Sequence, residues 1–220
     1  MSLAKPEKKM DNGFVMRTYN FEIRAEEEDE KGVVYGVPIV FERETHLGYF
    51  KEIIHRGALD GADCLKDVRF LVNHNRSMIP LARSRNNNSN STMQLTIEDD
   101  GLHIKVKLDI ENNADARALW SAIKRGDITG MSFMFKIDDE RWENLKSDCP
   151  TRHINRISTV VEVSAVTFPA YEQTQLSARC KEELDSYRSA LDSARNESAP
   201  DGVAALKLEY LKRSYLGNNY

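Results

Sequence analysis

A two-residue rhythm runs through most of this chain and restricts it to folds built chiefly from strands. It is plainest over residues 93–108. Met93, Leu95 and Ile97 fall on one side of an extended chain, and Asp99-Asp100-Gly101 makes a turn. Leu102, Ile104, Val106 and Leu108 then alternate with His103, Lys105 and Lys107. Two alternating runs joined by a turn predict a β-hairpin. Phe21, Ile23 and Ala25 alternate with Glu22 and Arg24, and Val33 to Phe41 is rich in β-branched and aromatic residues. These read as a strand and its return, with the acidic run Glu26 to Glu30 as a solvated hairpin loop. Pro38 cannot donate to a ladder, so it marks an edge or a bulge. Val68, Phe70 and Val72 alternate in a strand that ends at Asn73-His74-Asn75. Ile128 to Ile137 and the β-branched run Thr159 to Phe168, closed by Pro169, predict two more strands.

The period changes once inside this array. Ala116, Leu119 and Ile123 recur at helical spacing between Asn113 and Arg125, and Gly126 is the stop. Strands that do not alternate regularly with helices argue against a parallel Rossmann sheet. The expected fold class is mainly β with helices, an antiparallel sheet or barrel. Asn86 to Ser91 is too polar to pack and reads as a mobile loop. After Arg179 the composition shifts. Leu184, Tyr187 and Leu191 mark one helix, residues 196–202 a linker, and Val203, Leu206, Tyr210 and Leu211 a second helix. The organisation expected is a flexible arm over 1–18, a β domain over 19–180 and a helical extension over 181–220.

Composition narrows the function classes. Apolar residues make up 40% of the 220, enough for a packed core and too many for a disordered chain. No run approaches the roughly 20 apolar residues of a membrane helix, and the lysine-rich start lacks the apolar core of a secretory signal. A net charge of −4, without lysine or arginine clustered near the aromatics, disfavours a nucleic-acid binder. Cys64, Cys149 and Cys180 form no CxxC pair and no zinc spacing, which fits a reducing compartment without disulfides.

Three residues stand out against this background. His74 ends an apolar strand between two asparagines, as a polar terminus or as a working imidazole. Ser132 points away from the face shared by Met131, Phe133, Phe135 and Ile137, and its hydroxyl needs a partner: a neighbouring strand, water or a catalytic base. Glu162 lies in the β-branched run and is costly to bury unpaired. Its partner is a structural arginine, Arg152 or Arg156, or else an imidazole that it orients. A serine needs an imidazole to take its proton, and the imidazole needs an acceptor to fix its tautomer. His74, Ser132 and Glu162 supply those types on three strands. An α/β-hydrolase elbow is excluded, because position 134 is Met where G-x-S-x-G needs glycine.

The same residues carry a family resemblance. The matching segments are Phe21-Glu22-Ile23-Arg24-Ala25, Gly36-Val37-Pro38-Ile39-Val40-Phe41, Glu52-Ile53-Ile54 with Gly57-Ala58, and Asp67-Val68-Arg69-Phe70-Leu71-Val72-Asn73-His74. They continue with Gly101-Leu102, Arg125-Gly126-Asp127-Ile128-Thr129-Gly130-Met131-Ser132-Phe133-Met134-Phe135, and Glu162-Val163-Ser164-Ala165-Val166-Thr167-Phe168-Pro169-Ala170-Tyr171. Over residues 20–180 the chain resembles the prohead maturation proteases of tailed phages. A glycine-threonine turn usual in that family before the hairpin is replaced here by the Asn/Ser-rich loop near Ser91-Thr92. The resemblance implies an antiparallel β-barrel of herpesvirus-assembly-protease type surrounded by helices. It implies a serine endopeptidase with Ser132 as nucleophile and His74 as general base. Glu162 is the favoured third member, and His153 competes because the herpesvirus relatives use a second histidine. No metal or cofactor is implied. The partners implied are the major capsid protein and scaffold, as substrates, with self-cleavage and self-association. The place implied is the host-cell cytoplasm inside the assembling prohead, in a phage or a prophage. The alternative is a catalytically silent capsid-assembly or scaffold module on the same fold. Residues 181–220 lie outside the resemblance, and their helices pack on the barrel, dock on a partner or are trimmed off. Arg152 and Arg156 are weighed as oxyanion donors against a surface or structural role, which is favoured.

Overall fold

The computed structural model describes residues 14–19, 23–25, 31–61, 63–167 and 181–189. They form a mainly β, α+β fold of eleven strands and two helices. The strands are β1 (Phe14–Tyr19), β2 (Ile23–Ala25), β3 (Val33–Val40), β4 (Thr45–His46), β5 (Lys51–Ile54), β6 (Arg69–Val72) and β7 (Ala82–Arg83), followed by β8 (Met93–Ile97), β9 (Gly101–Lys107), β10 (Gly130–Glu143) and β11 (Thr151–Val166). The helices are α1 (Ala114–Lys124) and α2 over 181–189.

The strands divide into two sheets. One has the order β2-β3-β9-β8. In it the predicted 93–108 hairpin pairs Met93 with Val106 and Ile97 with Leu102. Gly101 is required at its turn, because a Cβ there would collide with the Ile39 carbonyl. The β3–β9 register shifts between Gly36 and Ile39, so Pro38 sits at the bulge that its missing N–H predicts. The other sheet runs β1-β10-β11-β5-β4, with β6 also on β11 and β7 on β6. β10 takes one edge of β11 along its length. The opposite edge is shared by β5, opposite residues 151–154, and β6, opposite residues 162–165, both parallel to β11. Among the described residues no pairing closes either sheet into a barrel.

One apolar core joins both sheets and α1. It contains Val34, Ile39, Leu95 and Ile104 from the smaller sheet and Met131, Phe133, Phe135, Ile157 and Val163 from the larger. Ala116, Leu119 and Ile123 come from α1, as their spacing predicts. Asn113 caps α1 by accepting from the N–H groups of Asp115 and Ala116, and Gly126, at φ +78°, ends it.

Three expectations change. The arm foreseen over 1–18 is a strand from Phe14 onward, pairing Val15 with Phe135 and Thr18 with Ser132. Its Arg17 is buried because Glu52 takes the guanidinium in two hydrogen bonds, of 2.7 and 2.8 Å. β10 and β11 extend well past the apolar runs that announced them. Cross-strand pairs hold that polar half: Arg152 to Glu140 at 2.5 Å, Arg156 to Asp138 at 2.5 Å, and Asn155 donating to Asp139 at 3.0 Å. The segment 86–91 is bound down by its own amides. Asn87 exchanges two 2.8 Å hydrogen bonds with the backbone of Leu95, and Ser91 donates to the Ser84 carbonyl. The helix expected around Leu184 and Tyr187 is α2. Its Leu184 packs with Leu47, Phe50, Trp142 and Leu145. The 26–30 loop and the helix expected over 203–211 lie outside the described residues.

Candidate active site

The site is assembled where β10, β11 and the end of β6 meet. The ladder sets Ser132 directly opposite Ser164 and Met134 opposite Glu162. Val72, the last residue of β6, pairs with Ala165. The chain then turns sharply through Asn73 and His74, both left-handed at φ +50° and +55°. Such a conformation is costly for residues with a Cβ and persists only where neighbours hold it. Here β11 holds it. The Asn73 N–H donates to the Ala165 carbonyl at 2.9 Å, and the Asn73 side chain exchanges two 2.9 Å bonds with Thr167. The turn swings the His74 imidazole back over the sheet.

Nε2 of His74 lies 2.6 Å from Ser132 Oγ, and Nδ1 is hydrogen-bonded to Glu162 Oε1. The other carboxylate oxygen, Oε2, accepts from Ser164 Oγ at 2.6 Å, and Ser164 Oγ accepts the His74 backbone N–H at 3.2 Å. Ser132 Oγ also faces the Arg17 carbonyl, 2.8 Å away. Glu162 is 1% exposed, Ser132 and Ser164 0%. A carboxylate so buried costs several kcal/mol unless its oxygens are paired, and here each has a partner. An ionised carboxylate holds Nδ1–H, which leaves Nε2 free to take a proton from Ser132. That order of groups is suited to nucleophilic acyl transfer.

The structure therefore brings His74, Ser132 and Glu162 together. His153, weighed as the third member, is elsewhere. It pairs with Arg141 near the far end of the β10–β11 hairpin, roughly 36 Å along the strand from Ser164 at about 3.3 Å per residue. Its Nδ1 lies 2.9 Å from His55 Nε2 in a near-parallel ring pair, and its Nε2 lies 3.1 Å from Glu143. Burial, with Arg141 adding to it, pushes the His153 imidazole below its ordinary value, against the pull of Glu143. Arg152 and Arg156 are not partners of Glu162. Arg152 serves Glu140 and Glu183, and Arg156 serves Asp138, the structural role favoured for both. His103 hydrogen-bonds to Asp100 at 2.8 Å on the hairpin turn.

Two residues at the site escaped the sequence reading. Ser164 was visible on the face of Glu162, but a serine among β-branched residues carries no pattern that assigns it a partner. Arg17 fell in the segment taken for an arm. The only signal for it was the apolar Phe14-Val15-Met16 just before it.

A hydroxyl, an imidazole and a carboxylate in this order belong to the arrangements that hydrolases use for acyl transfer. The comparison with protein families is narrower. Residues 19–188 match the caudovirus prohead serine protease family, and the chain belongs to that family. No curated protein and no solved structure matches it. Among the described residues, no helix is long and apolar enough to cross a membrane.

Proposed function

We propose that this protein is a serine endopeptidase that processes capsid and scaffold proteins during prohead maturation and also cleaves itself. The observation that carries the reading is the hydrogen-bonded line Ser132–His74–Glu162, in a chain of the prohead serine protease family. Ser132 Oγ attacks the scissile carbonyl carbon as His74 Nε2 takes its proton. Glu162 holds the imidazole with Nε2 toward the serine and stabilises the imidazolium that forms. The tetrahedral intermediate collapses as the same proton passes to the leaving amine. Water, deprotonated by His74, then releases the acyl group from Ser132. None of these steps needs a metal or cofactor.

The expected kinship in fold with the herpesvirus assembly protease belongs to the same proposal, as does action in the host cytoplasm inside the assembling shell. The second reading, a silent assembly module, draws on one observation: Ser132 has no exposed surface and its hydroxyl has a second acceptor in the Arg17 carbonyl.

Intact mass after expression, with and without a major capsid protein from the same phage or prophage, tests the two readings. Wild type is expected to yield fragments that vanish in Ser132→Ala and in His74→Ala. Uncut wild-type chains in every mixture, including one with assembled shells, would leave the silent module as the answer.

A further inference from the structure

The geometry points to Ser164 as a positioning residue that fixes the proton order of the whole site. This inference rests on the reading of Ser132 as nucleophile and goes one residue beyond it.

One donor at the site has no choice of role. The backbone N–H of His74 can only donate, so Ser164 Oγ, 3.2 Å away, is its acceptor. The single hydroxyl proton of Ser164 is then directed at Glu162 Oε2, 2.6 Å away. With Glu162 as a carboxylate, its Oε2 is taken up as the acceptor of that hydroxyl. Its remaining oxygen, Oε1, must accept from His74 Nδ1, so Nδ1 carries the proton and the neutral ring presents a bare Nε2 to Ser132. The tautomer that catalysis needs thus follows from one hydroxyl two residues along the strand from the carboxylate.

The same hydroxyl acts on the backbone. His74 stands in a left-handed conformation, and its N–H is tied to β11 through the Ser164 hydroxyl. Asn73, just before it, is tied to Ala165 and Thr167. Ser164 therefore holds both ends of the His74–Glu162 pair: the carboxylate by donating, the main chain of the imidazole by accepting. Its hydroxyl bonds join His74 and Glu162, while Ser132 is its register partner across the ladder.

The test uses the full chain as wild type, Ser132→Ala, Ser164→Ala and Ser164→Thr. Two readouts are taken across pH: the labelling rate with a fluorophosphonate, and the downfield proton resonance of His74 Nδ1–H. Wild type should label at one serine, and Ser132→Ala should abolish that label. Ser164→Ala should label roughly ten- to a hundredfold more slowly, the range expected for losing a hydrogen bond to a charged group. Its acid limb should also move to higher pH. A carboxylate that has lost a donor attracts the imidazolium more strongly, which a merely structural role would not produce. The Nδ1–H resonance should shift in Ser164→Ala, and Ser164→Thr, which keeps the hydroxyl, should restore rate and resonance. A Ser164→Ala protein with wild-type labelling, acid limb and resonance overturns the inference. Labelling that survives in Ser132→Ala would instead overturn the nucleophile reading. The resonance then still decides Ser164: unmoved, the positioning role falls, and shifted, it stands.

Discussion

Glu162 and His153 are both buried beside polar partners, and only their surroundings separate them. Glu162 faces an imidazole and a hydroxyl, one at each carboxylate oxygen. Its charge is therefore available to the ring that faces Ser132. Glu162→Gln keeps the shape but offers an amide where an acceptor is needed, and an amide nitrogen turned toward Nδ1 favours the wrong tautomer. Cleavage is expected to fall by about 10³- to 10⁴-fold, chiefly in kcat, as when the orienting carboxylate of such a triad is neutralised. His153→Ala empties a site at the other end of the hairpin, and cleavage should stay within about twofold of wild type. Both are read from kcat and KM on one peptide taken from a mapped cleavage site. The reverse pattern would return the third role to His153. At this scale the sequence already singled out His74, Ser132 and Glu162, because strand position and the cost of an unpaired carboxylate are local facts. What it left open was which partner each would find. Glu162 finding His74 depends on the β6–β11 register and Arg152 finding Glu140 on the β10–β11 register, and no local pattern fixes either.

At the scale of elements, the first link between α2 and the body is electrostatic. Glu183 reaches Arg152 at 2.8 Å and Arg17 at 3.2 Å, and Arg17 is in turn locked to Glu52. Burial draws the Glu183 carboxyl upward, but Arg17 and Arg152 outweigh it and hold it below its ordinary value. A carboxyl depressed in the folded state binds its proton more readily once released. Its contribution is complete above the ordinary value of 4.5 and is lost as pH falls below it. Acid should therefore loosen α2 before it unfolds the sheets. Trp142 reports this, since its ring lies 5.5 Å from Tyr187 of α2. In a Trp120→Phe background, Trp142 emission should shift below about pH 4.5 while the far-UV signal persists. Glu183→Gln should show the shifted emission already at neutral pH. An emission that moves only with global unfolding would make α2 an integral part of the core. Elements with a clean period, such as α1 and the 93–108 hairpin, were legible as they stand. The outer half of β10–β11 was not, because Asp138, Asp139, Arg152 and Arg156 read as loop until their partners lie across the ladder. β1 was missed for the same reason: its charged residue is buried by an acid that is distant in sequence.

The whole molecule depends on one strand more than on any other. β10 is bordered by β1 and β11, carries Ser132 on one face and places Met131, Phe133, Phe135 and Ile137 in the core on the other. That core also contains Val34, Ile39 and Leu95 of the second sheet, so the two sheets share their apolar burial. Separate stability for either sheet would require separate cores. A large-to-small change in the shared core should therefore lower one transition and not split it. Phe133 has no exposed surface and stacks on Phe135 at 4.8 Å. Phe133→Ala is expected to cost about 3–5 kcal/mol, which for a chain of this size lowers Tm by roughly 6–20 °C. Trp120 on α1 packs against the same core, and α1 meets β2 of the second sheet. In a Trp142→Phe background its fluorescence and the far-UV signal should shift together, with one midpoint before and one after Phe133→Ala. If the two midpoints separate in Phe133→Ala, the sheets are independently stable units, and the shared core is only a contact between them.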